Sequence, residues 1–188
     1  MQMKKVLMVV GSLRQDSFNR TVAQTIATQL EEQGVTVNFA TIADLPLMNQ
    51  DFEFPVPAAV QRFRDQVQAA DGLWIVTPEY NEMIPGGLKN ALDWLSRPVT
   101  PGTFGSPEFL QGKPVMLTGA GGKKAAKVGL SHLKTLLIDL HGSDAPGPRG
   151  GVADPNPSLH DGEVRPITGT TNGGRSTSCG VALRFRRN

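Results

Sequence analysis

The feature that most constrains this chain is a short apolar run that ends on glycine and is followed by a helix pattern. Val6 to Val10 is continuously apolar and rich in β-branched residues, and Gly11 ends it. A run without alternation suits a strand buried on both faces, as in a parallel sheet. Beyond a polar interval, Val22, Ala23, Ile26, Ala27 and Leu30 fall at helical spacing, and Gly34 is a natural stop. The same alternation then recurs. Val35 to Ala40 reads as a second strand, and Val60, Phe63, Val67 and Ala70 mark a second amphipathic helix after a Pro-containing loop. Gly72 to Thr77 reads as a third strand. Pro85 opens a helix with Leu88, Leu92 and Leu95 on one face, and Trp94 and Leu95 read as core. Lys113 to Gly119 reads as a fourth strand, and Leu130, Leu133, Leu137 and Leu140 mark a further helix.

Strands alternating with helices predict right-handed crossovers and an α/β fold, a doubly wound parallel sheet with helices on both faces. Ligands of such sheets bind beyond the carboxyl ends of strands, near the point where the strand order reverses. Three loops of unusual composition leave such ends: Gly11 to Asn19, Pro78 to Pro85, and Gly119 to Lys124.

Composition narrows the partners. The 188 residues suffice for one domain with a sizeable core. A formal net charge of +2 gives no strong pull toward nucleic acid or a membrane surface. The N-terminal apolar stretch is too short for a membrane span and reads as a first strand. Cys179 is the single cysteine, so there is no internal disulfide or CxxC metal site, which suits a cytoplasmic location. No clustered metal ligands appear. His132 falls on the last helix pattern and His141 and His160 at its end or beyond, so no histidine is assigned a catalytic role.

The segment from His141 to Asn188 differs from the body. It has no sustained apolar period, more than a quarter of it is Gly or Pro, it lacks lysine, and its positive charge is all arginine. Residues 1–140 therefore read as the folded domain and 141–188 as an atypical, irregular segment. The best candidate for a fifth strand, Gly162 to Thr168, is interrupted by Pro166.

The first loop, GSLRQDSFNR, places Ser12, Arg14, Ser17 and Asn19 before a helix start. A helix N-terminus offers free N–H groups and a positive dipole end, and hydroxyls, an amide and a guanidinium add donors for an anion. The same residues also fit a plain turn, with Ser17 or Asp16 as N-cap and Arg14 a solvated charge. The loop matches neither the GxxxxGK[ST] phosphate loop nor GxGxxG. The second loop, from Pro78, reads as a fixed turn displaying main-chain groups, or as a structured loop with Tyr80 packed on the surface. The third, TGAGGKK, reads as a close-approach loop with unhindered N–H groups or as a simple glycine-rich turn.

GSLRQDSFNR, TPEYNEMIPGGLKNALDWLSRP and GAGG, in this order, resemble the NAD(P)H-dependent FMN reductases, the group that includes quinone and chromate reductases. The resemblance covers roughly residues 4 to 140. It implies a flavodoxin-like fold with strand order 2-1-3-4-5 and bound FMN, with NADPH or NADH as co-substrate. It implies that Ser12, Arg14, Ser17 and Asn19 hold the phosphate and ribityl chain. Pro78, Glu79, Tyr80 and Asn81 would line the isoalloxazine, mainly through main-chain groups and the tyrosine ring. Gly119, Ala120, Gly121 and Gly122 would lie along the other edge of the ring.

The expected activity is two-electron transfer from NAD(P)H through FMN to a quinone or similar small acceptor, with FMN, chromate and azo compounds in that class. The flavin carries the chemistry, so no catalytic side chain is nominated. The resemblance also implies a homodimer or homotetramer. Two other readings stand beside it. One is a non-enzymatic flavin electron carrier or regulatory module, which near-neutral charge and Arg14 argue against. The other is an impaired reductase: family members continue with a fifth strand and a C-terminal helix, and the Gly/Pro/Arg bias after residue 140 is what a reading-frame shift in a GC-rich gene produces.

Overall fold

The computed structural model describes residues 5–121 and 125–140. Four strands, β1 (Lys5–Val10), β2 (Thr36–Phe39), β3 (Gly72–Thr77) and β4 (Val115–Gly119), form one parallel sheet in the order β2-β1-β3-β4. Four helices join or follow them: α1 (Phe18–Glu31), α2 (Ala58–Ala69), α3 (Gly86–Leu95) and α4 (Lys127–Leu140). Each periodic segment of the sequence forms the element it predicts. The expected fifth strand and last helix lie outside the described residues.

The sheet sits between two apolar layers because its inner strands point side chains both ways. On β1, Leu7 and Val9 enter one layer with Leu73, Ile75, Val115 and Leu117 of β3 and β4. Phe63 and Val67 of α2, Leu88 and Leu92 of α3, and Leu130, Leu133 and Leu137 of α4 cover that face. Met8 and Val10 enter the other layer with Trp74 and Val76, covered by Ala23, Ile26, Ala27 and Leu30 of α1. Burying each such Leu, Ile or Val contributes about 1.5–3 kcal/mol, so these side chains fix which face each helix occupies. Among the described residues β2 pairs only with β1 and is the half-exposed edge.

Chain order places the reversal point between β1 and β3: the chain steps outward from β1 to β2, then returns past β1 to β3. Val10 lies beside Val76, and Thr77 beside Gly119, so β1, β3 and β4 end at one level. The loops that leave them are therefore neighbours. No described helix is long and apolar enough to cross a membrane.

Candidate functional site

The first loop begins with a close approach. Gly11 donates its N–H to Val76 O at 2.9 Å, and a Cβ on Gly11 would lie 2.3 Å from Thr77 Oγ1. Only glycine lets the chain leave β1 so close to β3. Ser12 and Ser17 are buried, whereas Arg14 is exposed. Ser17 is the N-cap of α1 in an extended conformation, yet its side chain makes no capping bond, and the first turn carries no acidic residue. An uncapped helix start with its dipole's positive end free is suited to an anion.

Asn19 is buried, and its carboxamide is engaged. Nδ2 donates to Ala120 O at 3.0 Å, and Ala120 N–H donates to Oδ1 at 3.0 Å. One N–H of the amide remains for another acceptor. The start of α1 is thereby joined to the loop after β4. In that loop Ala120 is buried and Gly121 exposed, while Gly122 lies outside the described residues. Gly119 itself abuts the start of α4, where a Cβ would lie 2.8 Å from Ala126 Cβ.

In the second loop, Pro78 is buried, Glu79 half-buried, and Tyr80 and Asn81 exposed. Tyr80 and Met83 pair across a two-residue turn, with bonds of 3.2 and 3.0 Å between their main-chain groups. Asn81 and Glu82, between them, have φ of 53° and 63°. Two successive left-handed residues make a tight reversal with the shape of a type I′ turn. Glu79 Oε2 accepts the N–H of Gly129, in the first turn of α4, at 2.6 Å. Gly129 was missed in the sequence. Its signal was a glycine inside an otherwise helical apolar repeat, which commonly has a packing reason.

Two cavities lie away from these loops. One of about 540 Å³ is lined by Gln61, Arg64 and Phe109 among others, and one of about 350 Å³ by Glu53, Arg97 and Phe104 among others. Neither includes a residue of the three loops. Their shared charged cluster has a structural task. Arg64, nearly inaccessible, donates to Trp94 O in the last turn of α3 and to Arg97 O just past it, and Arg97 binds Glu53 through two bonds of 2.9 and 3.0 Å. Burial lowers the Arg64 pKa against the pull of Glu53, and the Glu53 bond raises that of Arg97.

A doubly wound parallel sheet with three converging strand-end loops and an uncapped helix start defines a flavodoxin-like α/β protein. The NADPH-dependent FMN reductase family model matches residues 4–152, and the chain belongs to that family. It is 43% identical over 137 residues to 2-hydroxy-1,4-benzoquinone reductase of Burkholderia sp., covering 72% of this chain and 71% of that protein. It is 40% identical over 167 residues to the quinone reductase of Escherichia coli K12, covering 85% and 84% of the two chains. Among solved structures, it is similar to FerB, the flavoenzyme NAD(P)H:(acceptor) oxidoreductase of Paracoccus denitrificans, with a TM-score of 0.65 and 32% identity. That match covers 73% of this chain and 72% of FerB. The chain is thus an oxidoreductase of the flavoprotein class, with FMN as cofactor and NAD(P)H as reductant. The uncapped start of α1 beside the buried residues Ser12 and Ser17 suits the phosphate of that cofactor.

Proposed function

We propose that this protein transfers two electrons from NAD(P)H through FMN to quinones or chemically similar small acceptors. The observation that carries the reading is the uncapped start of α1, set at the reversal point of the sheet with Ser12 and Ser17 buried beside it. Bound FMN supplies the redox chemistry, hydride acceptance from NAD(P)H and electron return to the acceptor. The protein's part is to bind, orient and shield.

Ser12, Arg14, Ser17 and the remaining N–H of Asn19 hold the phosphate and the adjoining ribityl chain, together with the first-turn N–H groups of α1. Pro78, Glu79, Tyr80 and Asn81 line the isoalloxazine with main-chain groups and the Tyr80 ring. Gly119, Ala120 and Gly121 face its other edge, where the Gly121 N–H stabilises developing negative charge, that of Ala120 being already donated to Asn19 Oδ1. The acceptors fitted to this site are small molecules, the working form is a homodimer or homotetramer, and the location is cytoplasmic.

The experiment is purification of the full chain, an absorbance spectrum, release and identification of any flavin, and steady-state NAD(P)H oxidation with and without added quinone. Bound FMN with quinone-dependent oxidation supports the reading. Bound FMN with no such oxidation makes the protein an electron carrier or regulatory module instead.

A further inference from the structure

Glu79 has a side chain whose partner is not a ligand. Its carboxylate reaches 50 positions along the chain to accept the N–H of Gly129 at 2.6 Å. Gly129 is the third residue of α4, and N–H groups in a helix's first turn have no partner within the helix. An anionic oxygen there gains both a charge-assisted hydrogen bond and the favourable end of the helix dipole.

The missing side chain also eases the contact. A Cβ on Gly129 would lie 3.2 Å from Glu79 Cγ, 3.3 Å from Glu79 Cβ and 3.3 Å from Met83 O. A side chain at Gly129 would press on both Glu79 and the far side of the Tyr80–Met83 turn, each of which would have to give by a few tenths of an ångström. That turn holds two non-glycine residues at positive φ, as does the entry to α4, where Ala125 and Ala126 have φ of 48° and 59°. Conformations of this kind persist only where the surroundings over-determine them.

We propose that Glu79 is a positioning residue: by capping α4 through Gly129, its carboxylate clamps the Tyr80 turn to the start of α4 and the end of β4 as one wall of the flavin site. The flavin part of this proposal rests on the function proposed above. The clamp ties the Tyr80 turn to α4 and, through Ala126 against Gly119, to the end of β4. Losing it loosens the ring end of the site and leaves the phosphate end intact. FMN and riboflavin therefore weaken together.

The test uses the full chain and the variants Glu79→Ala, Glu79→Gln and Gly129→Ala. In flavin-free protein, hydrogen exchange at the Gly129 amide should accelerate in Glu79→Ala and less in Glu79→Gln, whose amide oxygen still accepts. With flavin, the Kd values of FMN and riboflavin should rise by the same factor, about tenfold for Glu79→Ala. The visible circular dichroism of the bound flavin should change, with Glu79→Gln intermediate. Gly129→Ala should shift the same spectrum while keeping the carboxylate. Unchanged Gly129 exchange in Glu79→Ala overturns the clamp. So does a Glu79→Gln variant as impaired in binding as Glu79→Ala while its Gly129 amide stays protected, because the carboxylate then acts on the ligand. If the wild-type chain takes up no FMN, the flavin reading fails, and accelerated exchange at Gly129 still supports the clamp.

Discussion

Asn19 and Ala120 exchange two hydrogen bonds across 101 positions of sequence, so a side-chain amide pairs with a main-chain residue as a strand neighbour would. Both residues are buried. Asn19→Ala leaves a buried N–H and C=O of Ala120 without partners, a loss of about 1–3 kcal/mol. Asn19→Asp should be worse, because an anionic oxygen replaces the donor facing Ala120 O. Thermal unfolding monitored by circular dichroism checks both, and an Asn19→Ala variant as stable as wild type would remove the pair's importance.

The proposed place of Arg14 beside the phosphate has its own test. Arg14→Ala should weaken FMN retention by about tenfold while leaving riboflavin binding nearly unchanged, since riboflavin has no phosphate for a guanidinium to grip. Fluorescence titration of the flavin-free protein with each ligand measures this. Equal weakening of both would move Arg14 out of the phosphate site.

Gly11→Ala tests the close approach of β1 to β3. A methyl group 2.3 Å from Thr77 Oγ1 and 2.8 Å from Thr77 Cβ cannot be accommodated without backbone movement. The expected destabilisation is about 1–3 kcal/mol. Thr77→Ala removes the nearer atom and leaves Cβ, so the double variant should recover part of the loss. Urea unfolding of the four proteins forms a double-mutant cycle, and strictly additive effects would show that the two sites do not meet.

Arg64→Ala should cost about 2–4 kcal/mol, because it removes the side-chain donor to Arg97 O and to Trp94 O, the latter keeping the Arg97 N–H, and opens a void beside them. The loss should be flat across neutral pH. Arg64 has a folded pKa below its unfolded one, so its burial cost stands in full below the folded pKa and fades as pH climbs to the unfolded value. Arg97 is shifted upward, so its contribution disappears only as pH passes its folded pKa. Both windows lie in strong alkali for arginine. Unfolding free energies measured at several pH values check this, and a loss that varies steeply near neutrality would implicate another group.

Much of the architecture was legible because its forces are local in sequence. Val6 to Val10 and Gly72 to Thr77 carry unbroken apolar runs since both their faces are covered, and α1 shows its one buried stripe at regular spacing. The Pro-containing loop between β2 and α2 was not readable in that way. It is held from outside, by Asn90 Nδ2 and Trp94 Nε1 donating to Pro46 O and by Asn90 Oδ1 accepting from Met48 N. The site divides similarly. Strand ends located its three loops, but the partners of Asn19 and Glu79 are set by which loops the sheet makes neighbours. Ser, Asn and Glu side chains read alone suggest donors and acceptors for a ligand. The fold engages two of them with the protein's own backbone.

The Tyr80–Met83 turn bears on how tightly a ligand beside it is held. Its central residues already occupy left-handed conformations, and its end residues satisfy each other's main-chain groups. The conformational entropy of forming this reversal is lost when the chain folds, not when a ring arrives beside it. A ligand meeting the turn meets a finished surface, so less of its binding free energy is diverted into ordering the loop.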